Sequence, residues 1–160
     1  MKEILFFSNN ISKITEMKNL FKAISMNVLS VKDVNLNFEP KEVGSSFAEN
    51  AKIKSLYGFK KTILPCFADD SGICIEALNW KPGIRSRKFI EGFNNPNECF
   101  EYIFKKVELS KKNKAYFKTS ICLTLNDNYH IVFEGKIEGK ISNKVLGNNG
   151  FGYDPIFIAN

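Results

Sequence analysis

The chain has 160 residues, 44% hydrophobic and 25% charged, and its 23 basic and 17 acidic residues give a net charge of +6. A chain of this length buries about two-thirds of its unfolded surface. We therefore expect one domain whose core is stable without disulfide bonds or a structural metal ion. The composition excludes a disordered tail, a collagen-like chain and a coiled coil. No apolar run approaches the ~20 residues of a transmembrane helix, and the N-terminal run is too short for a signal peptide. We therefore expect no membrane partner and a cytoplasmic location.

Apolar runs and alternating segments are typical of strands and occur at residues 3–7, 28–34, 63–68, 73–78, 115–125 and 129–137. Apolar spacing of three and four residues, or helix-start signals, predicts helices over 13–24, 47–60 and from 95 to about 107. Ser12 is the expected N-cap of the first helix, and Ser46 with Glu49 forms a capping box that opens the second. The Asn126–Asn128 segment predicts a hairpin turn. This order of strands and helices indicates an α/β or mixed α+β fold.

The four cysteines predict free, buried thiols in a reducing compartment, because no two of them have a metal-knuckle spacing. They are Cys66, Cys74, Cys99 and Cys122. The single histidine, His130, lies in a strand-like run without a recognisable nucleophile. It therefore predicts neither a zinc site nor a catalytic base.

The turn between the first strand and the first helix combines polar side chains with one cation. It consists of Ser8, Asn9, Asn10, Ile11, Ser12 and Lys13. Backbone N–H groups and the positive end of a helix dipole suit phosphate oxygens at such a turn. The turn has no glycine and is neither a Walker loop nor a dinucleotide fingerprint. Taken alone, it fits an ordinary N-cap with a surface lysine as well as a phosphate site.

Two adjacent carboxylates, Asp69 and Asp70, end an apolar run and are followed by Ser71. Buried carboxylates are unfavourable unless positive charge lies near them, and magnesium prefers such oxygen ligands together with phosphates. Because adjacent strand residues point to opposite faces, we expect only one aspartate to face a metal and the other to cap a following turn. A plain Asx turn is the alternative.

A third segment, Gly147–Pro155, has glycines that permit close backbone approach to a ligand. Phe151 lies between two of these glycines and Tyr153 follows the last one, and both predict stacking on a nucleobase, worth roughly 1–3 kcal/mol. A loop whose aromatic residues anchor it to the core is the alternative.

Five motifs follow one another along the chain: Ser8-Asn9-Asn10 with Lys13, Glu42–Ala51, Ala68–Gly72, Pro82–Ile84 and Gly150–Pro155. In this order they resemble the inosine triphosphate pyrophosphatase family, the house-cleaning enzymes for non-standard purine nucleotides. The resemblance runs from about residue 3 to residue 158. It implies an elongated mixed sheet flanked by helices, two lobes around a cleft, and a homodimer. It also implies Mg²⁺-dependent hydrolysis of ITP, dITP and XTP to the monophosphate and pyrophosphate.

The resemblance also assigns roles to individual residues. Glu42 and Asp70 match the metal-binding carboxylates, and Asp70 matches the proton acceptor. Lys54 fits a triphosphate contact, and Ser71 matches a substrate-contacting position. The remaining expected substrate contacts are the phosphate-binding turn and the base-binding loop: Ser8, Asn9, Asn10, Ile11, Ser12, Lys13, Phe151, Gly152, Tyr153 and Asp154. Asp154 has two open roles, a contact to N1–H of the base or the shaping of the loop.

Two other functions remain open from the sequence. A related pyrophosphatase for modified pyrimidine triphosphates would use the same lysine and carboxylates. A non-catalytic nucleic-acid-binding domain would use the lysine-rich stretch 105–118, which is otherwise a solvated helix end. We expect no nucleic-acid partner.

The family's chain continues beyond the Gly150–Pro155 motif and supplies a further lysine and a Ser-His-Arg triplet that help to bind the base and phosphates. The present sequence stops at Asn160. The expectation is a single nucleotide pyrophosphatase domain, residues 1–160, that is incomplete at its C-terminus. Weak or absent activity and marginal stability would follow, and an inactive truncated remnant is a further alternative.

Overall fold

A computed structural model describes residues 2–147 and 150–160. The strands are β1 (Lys2–Phe6), β2 (Met26–Ser30), β3 (Cys66–Ile75), β4 (Lys81–Pro82), β5 (Lys114–Asn126), β6 (Tyr129–Ile141) and β7 (Phe157–Ala159). The helices are α1 (Ile11–Lys22), α2 (Phe47–Thr62), α3 (Ser86–Glu91) and α4 (Pro96–Ser110). Short 3-10 segments occupy Glu76–Leu78, Gly83–Arg85 and Asp154–Ile156. None of these helices has the length and apolar character to cross a bilayer.

The strands form one mixed sheet in the order β2-β1-β3-β5-β6-β7, with β4 paired to β3. β1 pairs in parallel with both β2 and β3, whereas the β3–β4 and β6–β7 pairs are antiparallel. The predicted mixed α/β class is confirmed. By internal packing the chain divides into two compact units, a first unit of Met1–Asp70 and Ser120–Glu134 and a second unit of Ser71–Thr119 and Gly135–Asn160.

In the first unit, α1 and α2 lie on opposite faces of the strands. Successive residues of β1 point to opposite faces, so Leu5 belongs to one core and Ile4 to the other. Phe59 of α2 packs in the core that contains Leu5. The other core contains Ile4 and receives three side chains of α1: Ile14, Met17 and Phe21.

The second unit has a core built on the inner face of α4. Cys99, Phe100 and Ile103 of this helix are buried and pack with Ile73 and Ile75 of β3. The helix begins where predicted, because the Asn95 side chain accepts a hydrogen bond from the backbone N–H of Glu98 at 3.1 Å. The four cysteines are free and buried, as predicted.

Two predicted strands, 63–68 and 73–78, are wrong as separate elements because one continuous strand, β3, replaces them. The polar residues between them remain in the sheet because their side chains find partners there. The Lys13 ammonium donates to the Asp69 carboxylate, and the Asn50 amide donates to Asp70. No turn follows Asp69 within β3, so the expected turn-capping role of one aspartate is also wrong.

The predicted start of the first helix is also wrong. α1 begins at Ile11 with Asn10 as N-cap, whose side-chain oxygen accepts from the backbone N–H of Lys13 at 3.2 Å. Ser12 therefore lies inside the first turn. The apolar spacing that predicts this helix places Leu20 and Ile24 on its inner face. Leu20 instead remains 60% exposed on α1, and Ile24 lies beyond the last helical residue.

Candidate active site

The inner face of α2 carries the charged group at the centre of the candidate site. Asn50 and Lys54 lie four residues apart, so they share one face of the helix, and both are buried. Small neighbours on this face let the helix lie close to the sheet. One of them, Ser55, shares a 2.8 Å hydrogen bond with Thr124 of β5.

The Lys54 ammonium contacts two carboxylates. Its Nζ lies 2.8 Å from Oε1 of Glu42 and 4.0 Å from Oδ1 of Asp70. Asp70 is only 7% exposed, and burying a charge is costly unless it is paired and hydrogen-bonded. The lysine and the Asn50 amide meet that requirement for Asp70. Two carboxylates from distant parts of the sequence thus converge on one cation.

The pKa of the Asp70 carboxyl is raised above its usual value, chiefly because burial disfavours the charged form. The hydrogen bond from Asn50 and the charge of Lys54 oppose this shift, whereas the nearby charges of Glu42 and Asp69 add to it. Asp70 therefore has a higher affinity for a proton than an exposed aspartate has.

Asp69 points to the other face of β3, as the strand alternation predicts. Its carboxylate accepts from the ammonium of Lys13, which lies in the first turn of α1. The two adjacent aspartates therefore have different cationic partners on different elements.

The turn between β1 and α1 is held by its own polar side chains. The Ser8 hydroxyl accepts from the backbone N–H of Asn10 at 3.2 Å, and the Asn9 amide donates to Glu39 at 3.1 Å. Ile11 is 69% exposed at the start of α1. The turn thus presents the positive end of a twelve-residue helix.

The predicted base-binding loop lies in the second unit, and its two aromatic residues have different surroundings. Phe151 is 44% exposed, whereas Tyr153 is 4% exposed, and the Tyr153 hydroxyl donates to the backbone oxygen of Ser86 at 2.8 Å. Tyr153 thus anchors the loop to the core and leaves Phe151 accessible. Asn148 and Asn149 of this segment lie outside the described residues.

Asp154 shapes this loop. Its Oδ2 accepts from the backbone N–H of Phe151 at 2.9 Å. Gly150 has a φ of +84°, and a Cβ at that position would lie 2.3 Å from the same carboxylate oxygen. Only glycine permits this turn. Of the two roles left open for Asp154, the described contact is the loop-shaping one. Gly152 also has a left-handed φ, of +61°.

Ser71 follows Asp70 on β3 and belongs to the second unit. Its hydroxyl accepts from the Thr119 hydroxyl of β5 at 3.0 Å.

Within 2–147 and 150–160, no three His, Cys, Asp or Glu side chains group closely enough to hold a metal ion by themselves. Glu42 and Asp70 form a pair of carboxylates, and magnesium in nucleotide sites is bound by one or two carboxylates together with substrate phosphates.

The sequence prediction missed Asn50 and Gly44. The Asn50 side chain donates to Asp70 at 3.0 Å and accepts from the backbone N–H of Gly44 at 2.9 Å. The sequence did hold a signal for Asn50. It lies four residues before Lys54, so its amide falls on the helix face that carries this predicted phosphate contact.

The fold and this cluster define a mixed α/β protein in which two carboxylates converge on a buried lysine. The model of the Ham1 family matches residues 4–160, and the chain belongs to that family. A relative from Leptospira interrogans, named dITP/XTP pyrophosphatase, is 36% identical over 98% of this chain and 80% of its own length. A relative of the same name from Staphylococcus aureus is 38% identical over 99% of this chain and 80% of its own length.

Solved structures agree with this assignment. The structure of a HAM1 protein from Coxiella burnetii superposes with a TM-score of 0.87 at 35% identity, covering 98% of this chain and 81% of that one. The Staphylococcus aureus Ham1 protein superposes with a TM-score of 0.83 at 37% identity, covering 98% of this chain and 80% of that one. The family resemblance predicted from the five motifs is thereby confirmed.

Proposed function

We propose that this chain is a nucleoside triphosphate pyrophosphatase that hydrolyses ITP, dITP and XTP to the monophosphate and pyrophosphate. The observation that carries the proposal is the convergence of Glu42 and Asp70 on Lys54 in a chain of the Ham1 family. The names of the relatives, which specify dITP and XTP, support the substrate class.

We assign Glu42 and Asp70 as the residues that would hold Mg²⁺, because their carboxylates already share one cation in the form of the Lys54 ammonium. When bound, the ion would neutralise phosphate charge and orient the attacking water. The donor set fits a hard cation, since both ligands are carboxylate oxygens.

Three side chains act directly in the proposed reaction. Asp70 accepts the proton of the attacking water, and its place beside Glu42 and Lys54 supports this role. Lys54 and Lys13 place positive charge against the triphosphate and the leaving pyrophosphate. The turn Ser8–Lys13 receives phosphate oxygens at the positive end of α1. No covalent intermediate is required, because water attacks between the α and β phosphorus atoms.

Base choice in this proposal depends on hydrogen-bond polarity. Inosine and xanthine carry a 6-oxo acceptor where adenine carries a 6-amino donor. The backbone N–H groups of Gly152 and Tyr153 would pair with the oxo group and reject the amino group. Exposed Phe151 supplies the stacking surface, and Ser71 remains the proposed further substrate contact.

A homodimer, a cytoplasmic location and a single catalytic domain over residues 1–160 belong to the same proposal. The family match over residues 4–160 supports the single domain. Sedimentation analysis of the purified chain tests the dimer.

The direct test is a pyrophosphate-release assay of the purified chain with Mg²⁺ and ITP, dITP, XTP, dUTP or ATP. We expect kcat/KM for ITP and XTP to exceed that for ATP by at least about 100-fold. Equal rates on ATP would contradict purine editing. Preference for dUTP would favour the modified-pyrimidine function, and release of single phosphate would contradict α–β cleavage.

A further inference from the structure

The Asn50 side chain is bound at both ends within the candidate site. Its Nδ2 donates to Oδ2 of Asp70 at 3.0 Å, and its Oδ1 accepts from the backbone N–H of Gly44 at 2.9 Å. Asn50 is 2% exposed. The amide therefore connects the strand that carries one proposed metal ligand to the segment that carries the other.

Gly44 is required for this connection. A Cβ at position 44 would lie 2.6 Å from Oδ1 of Asn50 and 2.8 Å from the Glu49 Cβ. A side chain at this position would push the segment away from α2. Glu42 lies two residues before Gly44, so the same displacement would move its carboxylate.

Glu42 needs such a tether because residues 36–44 form neither helix nor strand. The ion pair with Lys54 fixes Glu42 poorly by itself, since lysine is a point charge on a flexible four-carbon stem. The planar amide of Asn50 holds both of its partners in defined directions.

We infer that Asn50, seated against Gly44, is a positioning residue that sets the separation of Glu42 and Asp70 and so prepares them to share one divalent cation. This inference rests on the proposed function for the identity of the metal ligands. It adds a residue that acts through the carboxylate of Asp70 and the backbone beside Glu42.

The first test replaces Asn50 by alanine and measures cation binding apart from turnover. Titration of the purified chain with Mn²⁺, followed by the electron spin resonance signal of the free ion, should show a 10- to 100-fold loss of affinity, the usual effect of removing a side chain that orients a metal ligand. In the ITP assay, kcat should fall by a similar factor, and the Mg²⁺ concentration for half-maximal rate should rise.

The second test breaks the same connection from its other end. Gly44→Ala should also weaken Mn²⁺ binding, although it alters none of the side chains of Glu42, Asn50 and Asp70. The double variant Gly44→Ala/Asn50→Ala should lose less than the product of the two single losses, because both changes remove one shared interaction. If the loss of Mn²⁺ affinity in the double variant equalled the product of the two single losses, the two residues would act independently and the single connection would be contradicted.

Asn95→Ala is the matched control. Asn95 caps α4 in the second unit, where its side chain bonds to Glu98 of the same helix. Its replacement should lower the melting temperature without changing Mn²⁺ affinity. Circular dichroism and Tm measured on every variant separate loss of fold from loss of positioning.

The outcomes separate this inference from the proposed function. If the unaltered chain binds Mn²⁺ but hydrolyses no nucleotide, the proposed function fails, and a weaker Mn²⁺ affinity in folded Asn50→Ala still supports the positioning role. If the unaltered chain hydrolyses ITP and folded Asn50→Ala keeps both its Mn²⁺ affinity and its kcat, the positioning role is overturned.

Discussion

The two adjacent aspartates of β3 have different partners, so their substitutions should have different effects. Asp70 lies between Asn50 and Lys54, whereas Asp69 pairs with Lys13. Asp70→Asn is nearly isosteric but removes a metal ligand and a proton acceptor. We expect kcat for ITP to fall by about 10²–10⁴-fold with little change in Tm, and Asp69→Asn to cause a smaller loss. A greater loss in Asp69→Asn would show that the other face of β3 carries the chemistry.

Phe151 tests the base-binding loop at the level of one side chain. Phe151→Ala should raise KM for ITP by roughly 5- to 150-fold, which corresponds to a stacking contribution of about 1–3 kcal/mol. Its effect on Tm should be small because the ring is 44% exposed. Phe133→Ala is the matched control, since Phe133 is an exposed phenylalanine of β6. An unchanged KM for ITP in Phe151→Ala would mean that this ring does not stack on the base.

At the scale of elements, α2 depends on a glycine that lets it approach the sheet. A Cβ on Gly58 would lie 2.5 Å from the Cys66 sulfur and 2.9 Å from the Phe7 ring. Gly58→Ala gains about 1 kcal/mol of helix propensity, but overpacking a core costs about 1–3 kcal/mol. Because the clash involves two rigidly held neighbours, we expect net destabilisation and a Tm lower by a few degrees.

Lys52→Ala is the control for this element, because Lys52 is exposed on the same helix and should change Tm little. An equal or higher Tm in Gly58→Ala would contradict the close packing of α2 against β3. Thermal unfolding followed by circular dichroism measures both variants.

Local signals in the sequence, such as helix caps and turn residues, predicted most of the helices and strands. The Ser46 N-cap is present, with its hydroxyl accepting from the backbone N–H of Glu49 at 3.2 Å. The hairpin of β5 and β6 turns at residues 127–128 as predicted. β3 was missed as one strand because two aspartates and a glycine in its middle are typical of a turn. Their partners come from α1 and α2, which local sequence patterns do not show.

At the scale of the whole molecule, the resemblance of five motifs predicted the family, and the match over residues 4–160 confirms it. The contacts of the candidate site were less accessible to sequence reasoning. Glu42, Lys54 and Asp70 come from an irregular segment, a helix and a strand, so only the folded chain shows that they share one cation. The connection through Asn50 depends on distances that no spacing rule encodes.

Nucleotide binding should stabilise the whole chain in a base-dependent manner. A ligand that binds only the folded state at 100 times its Kd stabilises it by about 2.7 kcal/mol, which raises the Tm of a chain of this size by roughly 5–10 °C. We expect this rise with Mg²⁺ and a non-hydrolysable ITP analogue. The matching ATP analogue at the same concentration should give a smaller rise, because its 6-amino group would face backbone donors. Differential scanning fluorimetry measures both, and equal rises with the two analogues would contradict purine selection by the folded chain.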